Sequence, residues 1–248
     1  MLYIKKGLPP AQMIREVIQI KSTPEWKNIK EGDTKAIRAK FDELSKEPIR
    51  ESLLKEQGEI CAYCMRRIKN SGKTTTIEHL IPLSRDKEKA LDYRNMLAVC
   101  DGGTNSTLSG RKILCCDAKK EDEGALTLSP FNEYQMDKIV YDTQGFIKTN
   151  PEDVDMERDL NEVLGLNGLW KNERFIADTA TNLVKGRQNA YERYRRYVRK
   201  LNKKGKCTSA RIKKKIDEIE QEEQKREYAG VLLYFLKKKY HSLIKRGL

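Results

Sequence analysis

Four short stretches of this chain carry residues capable of metal binding or proton transfer. They are Cys61-Ala62-Tyr63-Cys64, Ile77-Glu78-His79-Leu80, Asn95 to Cys100, and Cys115-Cys116-Asp117. The Cys61-x-x-Cys64 spacing lets two thiolates reach one Zn²⁺ at tetrahedral geometry. Cys100 is the third ligand, and the fourth is Cys115 or Cys116. Cys116 is preferred, because Asp117 follows it and a charge-rich helix is expected to begin there. Four thiolates close the coordination shell and exclude water, so this zinc would be structural. It would hold two strands and a helix that are too small to form a core alone. A lone pair of cysteines is usually ordinary buried thiol. Two groups flanking a Glu-His dipeptide make that reading weak. Cys207 lies in a basic linker and is expected to be a free thiol.

Glu78 and His79 stand between the cysteine groups, and His79 is one of only two histidines. A neutral imidazole can take a proton from water near pH 7. Hydrolysis of a phosphodiester needs such a base, a group that stabilises developing charge, and help for the leaving oxygen. Glu78 and Asp117 offer the carboxylate oxygens that Mg²⁺ or Mn²⁺ prefers. Asn95 is placed to hydrogen-bond the imidazole and orient it. Arg85, Lys119 and Lys120 are candidates to steady phosphates. On a strand, Glu78 and His79 would point to opposite faces unless a bulge or turn intervenes. A single histidine is most often a satisfied core residue; here order and spacing together carry the signal.

The surrounding elements must hold these residues in place. Apolar residues at helical spacing predict helices over much of Pro9 to Lys55: Ile14, Val17 and Ile18, then Ile37, Phe41 and Leu44, then Ile49, Leu53 and Leu54. Short strands are expected at Thr74 to Ile77 and Leu97 to Val99, and a hairpin at Lys138 to Lys148 around Asp142-Thr143-Gln144-Gly145. From about Asp155 the pattern is helical, with one long stretch from Leu169 to Leu201 and a final helix or helical pair over Ser209 to Ile244. The expected class is α+β: a small zinc-stapled ββα core flanked by N-terminal and C-terminal helices. Four segments follow: 1–55 (N-terminal helical region), 56–130 (zinc-bearing core), 131–154 (hairpin and connector) and 155–248 (basic helical region).

The chain has 248 residues, with 50 Lys or Arg against 37 Asp or Glu and a net charge of +13. Such a balance favours a polyanionic partner, nucleic acid above all. The surplus is local: residues 185–248 hold 21 basic against 7 acidic residues, and the rest is close to neutral. Arg193, Arg195, Arg196, Arg199 and Lys200 interleave with Tyr191, Tyr194 and Tyr197 there. A solvated helix face is the default for a charge run. Because Glu192 is the single acid among these residues, phosphate contact is favoured over that default, and a protein partner with an acidic groove would fit nearly as well. The first residues are too short and charged for a secretory signal. No apolar run approaches the roughly 20 residues of a membrane helix. A cytoplasmic protein is expected, in which a count of six cysteines points to metal binding rather than to disulfides.

Over Cys61 to Lys120 the chain resembles the HNH, or ββα-metal, nuclease superfamily in its four-cysteine form. The resemblance implies that His79 is the general base, that Glu78 and Asp117 hold the catalytic metal, and that the middle asparagine is Asn95. Glu stands where that superfamily more often has Asp, and Asp where it often has His. A closer similarity runs through Tyr3-Ile4-Lys5-Lys6-Gly7, Leu54-x-x-Gln57-Gly58, Asp92-Tyr93-x-Asn95, Cys116-Asp117-Ala118-Lys119 and Leu164-x-Leu166-Asn167. These stretches resemble the nuclease subunits of Septu and retron-associated anti-phage systems. That resemblance implies a bacterial DNA endonuclease with an ABC or SMC-like ATPase partner. Two rivals are a zinc-ribbon nucleic-acid-binding module without catalysis and an assembly protein that docks an acidic partner. Neither gives Glu78, His79 or Asn95 a role.

Overall fold

In a computed structural model, residues 1–104, 107–108, 111–112, 114–120, 126–171, 174–177 and 181–247 are described. Four helices open the chain: α1 (Ala11–Ser22), α2 (Pro24–Asn28), α3 (Thr34–Asp42) and α4 (Lys46–Gln57). The Thr23 hydroxyl accepts from the Trp26 amide and the Asp33 carboxylate from the Ala36 amide, so side chains satisfy the first turns of α2 and α3. Gly58 ends α4 at φ 65°, where a Cβ would meet Lys225 Cγ at 2.3 Å. Ile37, Phe41, Ile49, Leu53 and Leu54 are buried, as their spacing predicts. The first stripe differs. Met13 and Ile20 face inward on α1, whereas Ile14 (43%) and Ile18 (65%) are exposed. Two apolar stripes overlap on α1, and only tertiary packing chooses between them.

The cysteine-bearing segment contains β1 (Thr75–His79) and β2 (Met96–Cys100), paired antiparallel with Thr75 opposite Cys100 and His79 opposite Met96. β2 is buried along its whole length. A two-residue ladder joins β3 (Thr107–Leu108) to β4 (Arg111–Lys112), and α5 (Asp117–Lys120) follows the last cysteines. After α6 (Glu133–Asp137), strands β5 (Ile139–Tyr141) and β6 (Ile147–Thr149) form a hairpin where the turn residues place it. α7 (Val154–Arg158) runs into a π-helical turn, Asp159–Val163.

The long helical stretch expected from Leu169 is interrupted. Residues Leu169–Lys171 and Arg174–Ala177 are strands β7 and β8, and α8 begins only at Leu183 (Leu183–Lys203). Trp170, Phe175 and Ile176 belong to the residue types that favour a pleated surface, and that preference prevails over the weak helical pattern. α9 (Ser209–Glu220) and α10 (Ala229–Ile244) complete the chain, and α10 packs against both α9 and α8. Arg187 of α8 is buried, and its guanidinium donates to the Gly145 carbonyl (2.6 Å) and the Leu166 carbonyl (2.7 Å). It ties α8 to the β5–β6 turn. One buried apolar cluster includes Met1, Leu53, Val99, Tyr141 and Leu243, so the helices at both ends share a core with the central strands. Among the described residues, no helix is long and apolar enough to cross a membrane.

Candidate active site and metal centre

The four sulfurs of Cys61, Cys64, Cys100 and Cys116 lie within 4.8 Å of one another and could hold a zinc ion. Cys61 and Cys116 are 3.9 Å apart, Cys64 and Cys100 3.8 Å. A tetrahedron with Zn–S bonds near 2.3 Å has edges of about 3.8 Å, so the spacing fits four thiolates around one Zn²⁺. The backbone explains the choice between the vicinal cysteines. Cys116 adopts φ 55° and its amide donates to the Leu164 carbonyl, and its thiol joins the cluster. Cys115 instead meets the Arg66 guanidinium at 3.6 Å, which also reaches Cys100 at 3.8 Å. A guanidinium there offsets the charge of clustered thiolates. Gly102 lies under this turn; a Cβ would come 2.4 Å from the Cys115 carbonyl.

The end of β1 and the start of α5 meet in a cleft of about 690 Å³. Glu78, His79, Asp117, Lys120 and Arg38 line it. The Glu78 carboxylate curls back to accept from the His79 amide at 3.0 Å, and both residues line the cleft. Tyr63 donates to Glu78 Oε1 at 3.3 Å, and Lys120 donates to the same oxygen and to the His79 carbonyl (3.1 Å). Tyr63 sits between Cys61 and Cys64, so the loop that carries the first two thiols braces the carboxylate directly. Burial, then the adjacent Asp117 carboxyl, pushes Glu78 up to about 8, against the opposing pull of Lys120.

His79 is buried, and its Nε2 lies 3.0 Å from the Ala90 carbonyl. A carbonyl only accepts, so Nε2 carries the proton and Nδ1 keeps its lone pair. Burial lowers the imidazole to about 4, and the positive charges of Arg38, Lys120 and Lys46 act in the same direction. The ring meets Phe41 edge-on at 4.6 Å.

Asn95 does not orient the imidazole as expected. Its carbonyl oxygen accepts from the Ile81 amide (2.8 Å), and its amide donates to the Ile81 (2.9 Å) and Lys89 (3.1 Å) carbonyls. Buried with these partners, it clamps both ends of the loop that presents Ala90, and the Ala90 carbonyl does the orienting. Neither expected phosphate lysine is free. Lys120 is 3% exposed and committed to Glu78, and Lys119 donates to the Asn161 carbonyl at 3.3 Å. Arg85 is exposed but is not among the residues lining the cleft. On α8, Arg193, Arg195, Arg196, Arg199 and Lys200 lie on the outward side of the helix, apart from the buried Arg187. Arg195 pairs with Glu192 at 2.8 Å, and Arg193 donates to the Glu227 carbonyl at 3.2 Å. The interleaved tyrosines turn the other way: Tyr191 and Tyr194 pack on Phe235 of α10 at 4.5 and 5.4 Å.

Sequence reasoning missed Arg38, the Ala90 carbonyl and the pairing of Lys120 with Glu78. Arg38 and Ala90 have no motif. Lys120 stands three residues after Asp117, where one turn of α5 brings both onto the β1 end. Residues 61–101 match the family model described as HNH endonuclease, which takes in the first cysteines, β1 and β2. That match supports a nuclease core in this segment. No curated protein matches the chain.

Proposed function

We propose that this chain is a metal-dependent endonuclease that hydrolyses DNA phosphodiester bonds, with His79 as general base. The observation that carries the reading is the state of the imidazole. Nε2 is committed to Ala90, Nδ1 has a lone pair, and the ring is neutral at pH 7. It stands in the same cleft as two carboxylates. During hydrolysis Nδ1 takes the proton of the attacking water, and Ala90 holds the ring in the required tautomer.

The donor set of the cleft fits a hard divalent cation. Glu78 and Asp117 lie side by side, and a single ammonium, Lys120, is bonded to Glu78. Two carboxylates against one such cation leave a site that Mg²⁺ or Mn²⁺ would complete. When bound, such an ion would polarise the phosphoryl group and stabilise the leaving oxygen. Tyr63 and Lys120 fix the Glu78 carboxylate, and Asn95 braces the loop that fixes His79. The cysteine cluster serves as a structural Zn²⁺ site. On this reading residues 56–130 are the catalytic core, and 1–55, 131–154 and 155–248 flank it.

The basic outward face of α8 supports DNA as the substrate, through contacts to phosphates. Resemblance to the Septu and retron-associated nucleases supports a cytoplasmic role in anti-phage defence with an ABC or SMC-like ATPase. Incubation of supercoiled plasmid with the protein and Mg²⁺ or Mn²⁺ tests the reading, alone and with that ATPase. Nicking or linearisation that a chelator abolishes is expected. Binding without cleavage under every condition would overturn it in favour of a zinc-bearing binding module.

A further inference from the structure

We propose that Arg38 is a further catalytic residue, whose guanidinium clamps the non-bridging oxygens of the phosphate under attack. The inference rests on the nuclease reading but on a different part of the chain. Arg38 belongs to α3, outside the segment that matches the HNH model. Three residues of α3 converge on the surroundings of the imidazole. Ile37 is fully buried and packs with Leu83 and Ala90, whose carbonyl holds His79. Phe41, one turn later, meets the imidazole edge-on. Arg38 lies between them in sequence and lines the cleft with Glu78, His79 and Asp117. α3 is therefore fixed to the loop that orients the base, and its register delivers one guanidinium to the cleft.

The chemistry of that guanidinium fits the reaction. Attack by water forms a new P–O bond and breaks the bond to the leaving oxygen. The water proton goes to His79 Nδ1, and the leaving oxygen takes a proton from solvent. Negative charge grows on the non-bridging oxygens in between. A planar guanidinium donates to two such oxygens at once and transfers no proton itself. Lys120 cannot fill this role while it is bonded to Glu78 and the His79 carbonyl. Arg38 is exposed, its Cζ stands 5.9 Å over the Phe41 ring, and no acidic side chain among the described residues pairs with it. The alternative role is a solvated helix residue that covers Phe41.

The test uses the full chain and its Arg38→Ala and Arg38→Lys variants on a short DNA duplex. Single-turnover cleavage is measured with Mg²⁺, and duplex affinity with Ca²⁺ in its place. Arg38→Ala is expected to cleave about 100-fold more slowly, with affinity changed less than about threefold. Arg38→Lys is expected to recover part of that loss, since it keeps the charge and loses the fork. Both variants should melt with the parent, because the side chain is exposed. A second readout needs no activity: the Arg38 Nε–H NMR signal, assigned by its absence in Arg38→Lys, should shift on saturation with duplex. An unmoved signal, or an Arg38→Ala variant at parental rate, would overturn the assignment. Cleavage by the parent with an unmoved signal would sink Arg38 alone. A shifted signal without cleavage by the parent, alone and with the proposed ATPase, would overturn the nuclease reading and leave Arg38 as a phosphate contact only.

Discussion

The ammonium of Lys120 is bonded to the carboxylate of Glu78, in the interior of the cleft that also holds His79 and Asp117. Both side chains are almost wholly buried, at 3% and 8% exposure. This contact occupies Oε1 of Glu78 before any metal arrives.

Lys120 therefore competes with a divalent cation for the same oxygen. Replacing it with methionine keeps the length and removes the charge. Lys120→Met is expected to bind Mn²⁺ roughly tenfold more tightly, because a positive charge beside a divalent ion is repulsive even at high effective dielectric. The metal-free variant should also melt lower, since buried Glu78 and the His79 carbonyl then lose the donor that Lys120 supplies. Calorimetric titration with Mn²⁺ checks the first point and a thermal melt the second. Weaker Mn²⁺ binding would mean that Lys120 organises the site instead.

Metal binding should depend on pH in a defined direction. Glu78 is raised to about 8, so at pH 7 it carries a proton in the metal-free protein. A carboxylate must lose that proton to bind a cation. Mn²⁺ affinity is expected to rise about tenfold per pH unit between about pH 6 and 8 and to level off above. About one proton should be released per ion at pH 7. Titrations in two buffers of different ionisation enthalpy measure it. The same shift predicts that the metal-free protein loses stability as pH rises from the ordinary glutamate range through about 8, because the folded state holds a proton that the unfolded state has released. His79, lowered to about 4, titrates in the opposite sense. Its folded state stays neutral where the unfolded histidine takes a proton, so stability falls as pH drops from the ordinary histidine range to about 4.

The vicinal cysteines should separate cleanly. Cys116→Ser is expected to lose the zinc and most of the folded population, and Cys115→Ser to keep one zinc per chain. Structural zinc supplies folding energy outright. Metal content by mass spectrometry and a far-ultraviolet melt distinguish the two. Zinc retained in Cys116→Ser would move the fourth ligand to Cys115.

The two faces of α8 should fail in different ways. Replacing Arg196, Arg199 and Lys200 with alanine is expected to weaken DNA binding and to reduce the slope of log affinity against log salt by up to ~0.9 per lost phosphate contact. Tyr194→Ala should instead destabilise the α8–α10 contact by about 3 kcal/mol, with DNA affinity per folded molecule unchanged. Salt-series binding and denaturant melts measure both. A Tyr194→Ala variant of parental stability but poor binding would instead place Tyr194 at the nucleic-acid surface.

Much of the site is legible in local sequence. The cysteine spacing marks the four clustered thiols, because metal geometry constrains spacing tightly, and the Glu-His dipeptide and the carboxylate after Cys116 mark three residues that line the cleft. The β5–β6 hairpin is marked by its turn residues. What local sequence hides depends on pairing across long separations. Gln57 gives an example: its side chain exchanges hydrogen bonds with both the amide (2.8 Å) and carbonyl (2.7 Å) of Ala98, locking α4 to β2. Nothing local predicts this. Asn95 stands out by its place in the sequence, but its partners are backbone groups of Ile81 and Lys89 rather than the imidazole. A side chain's identity reveals its hydrogen-bonding capacity and not its address. The same limit applies to the tyrosines of α8, whose inward face is set by Phe235, and to Arg38.

The central claim is that His79 Nδ1 takes the proton of the attacking water. Single-turnover cleavage of duplex DNA by the parent and by His79→Ala, at saturating Mg²⁺ and about pH 8, with and without the proposed ATPase, tests it most directly. A loss of about 100-fold or more in His79→Ala, at unchanged DNA affinity and melting temperature, is the predicted result. Cleavage at the parental rate without the imidazole would contradict it.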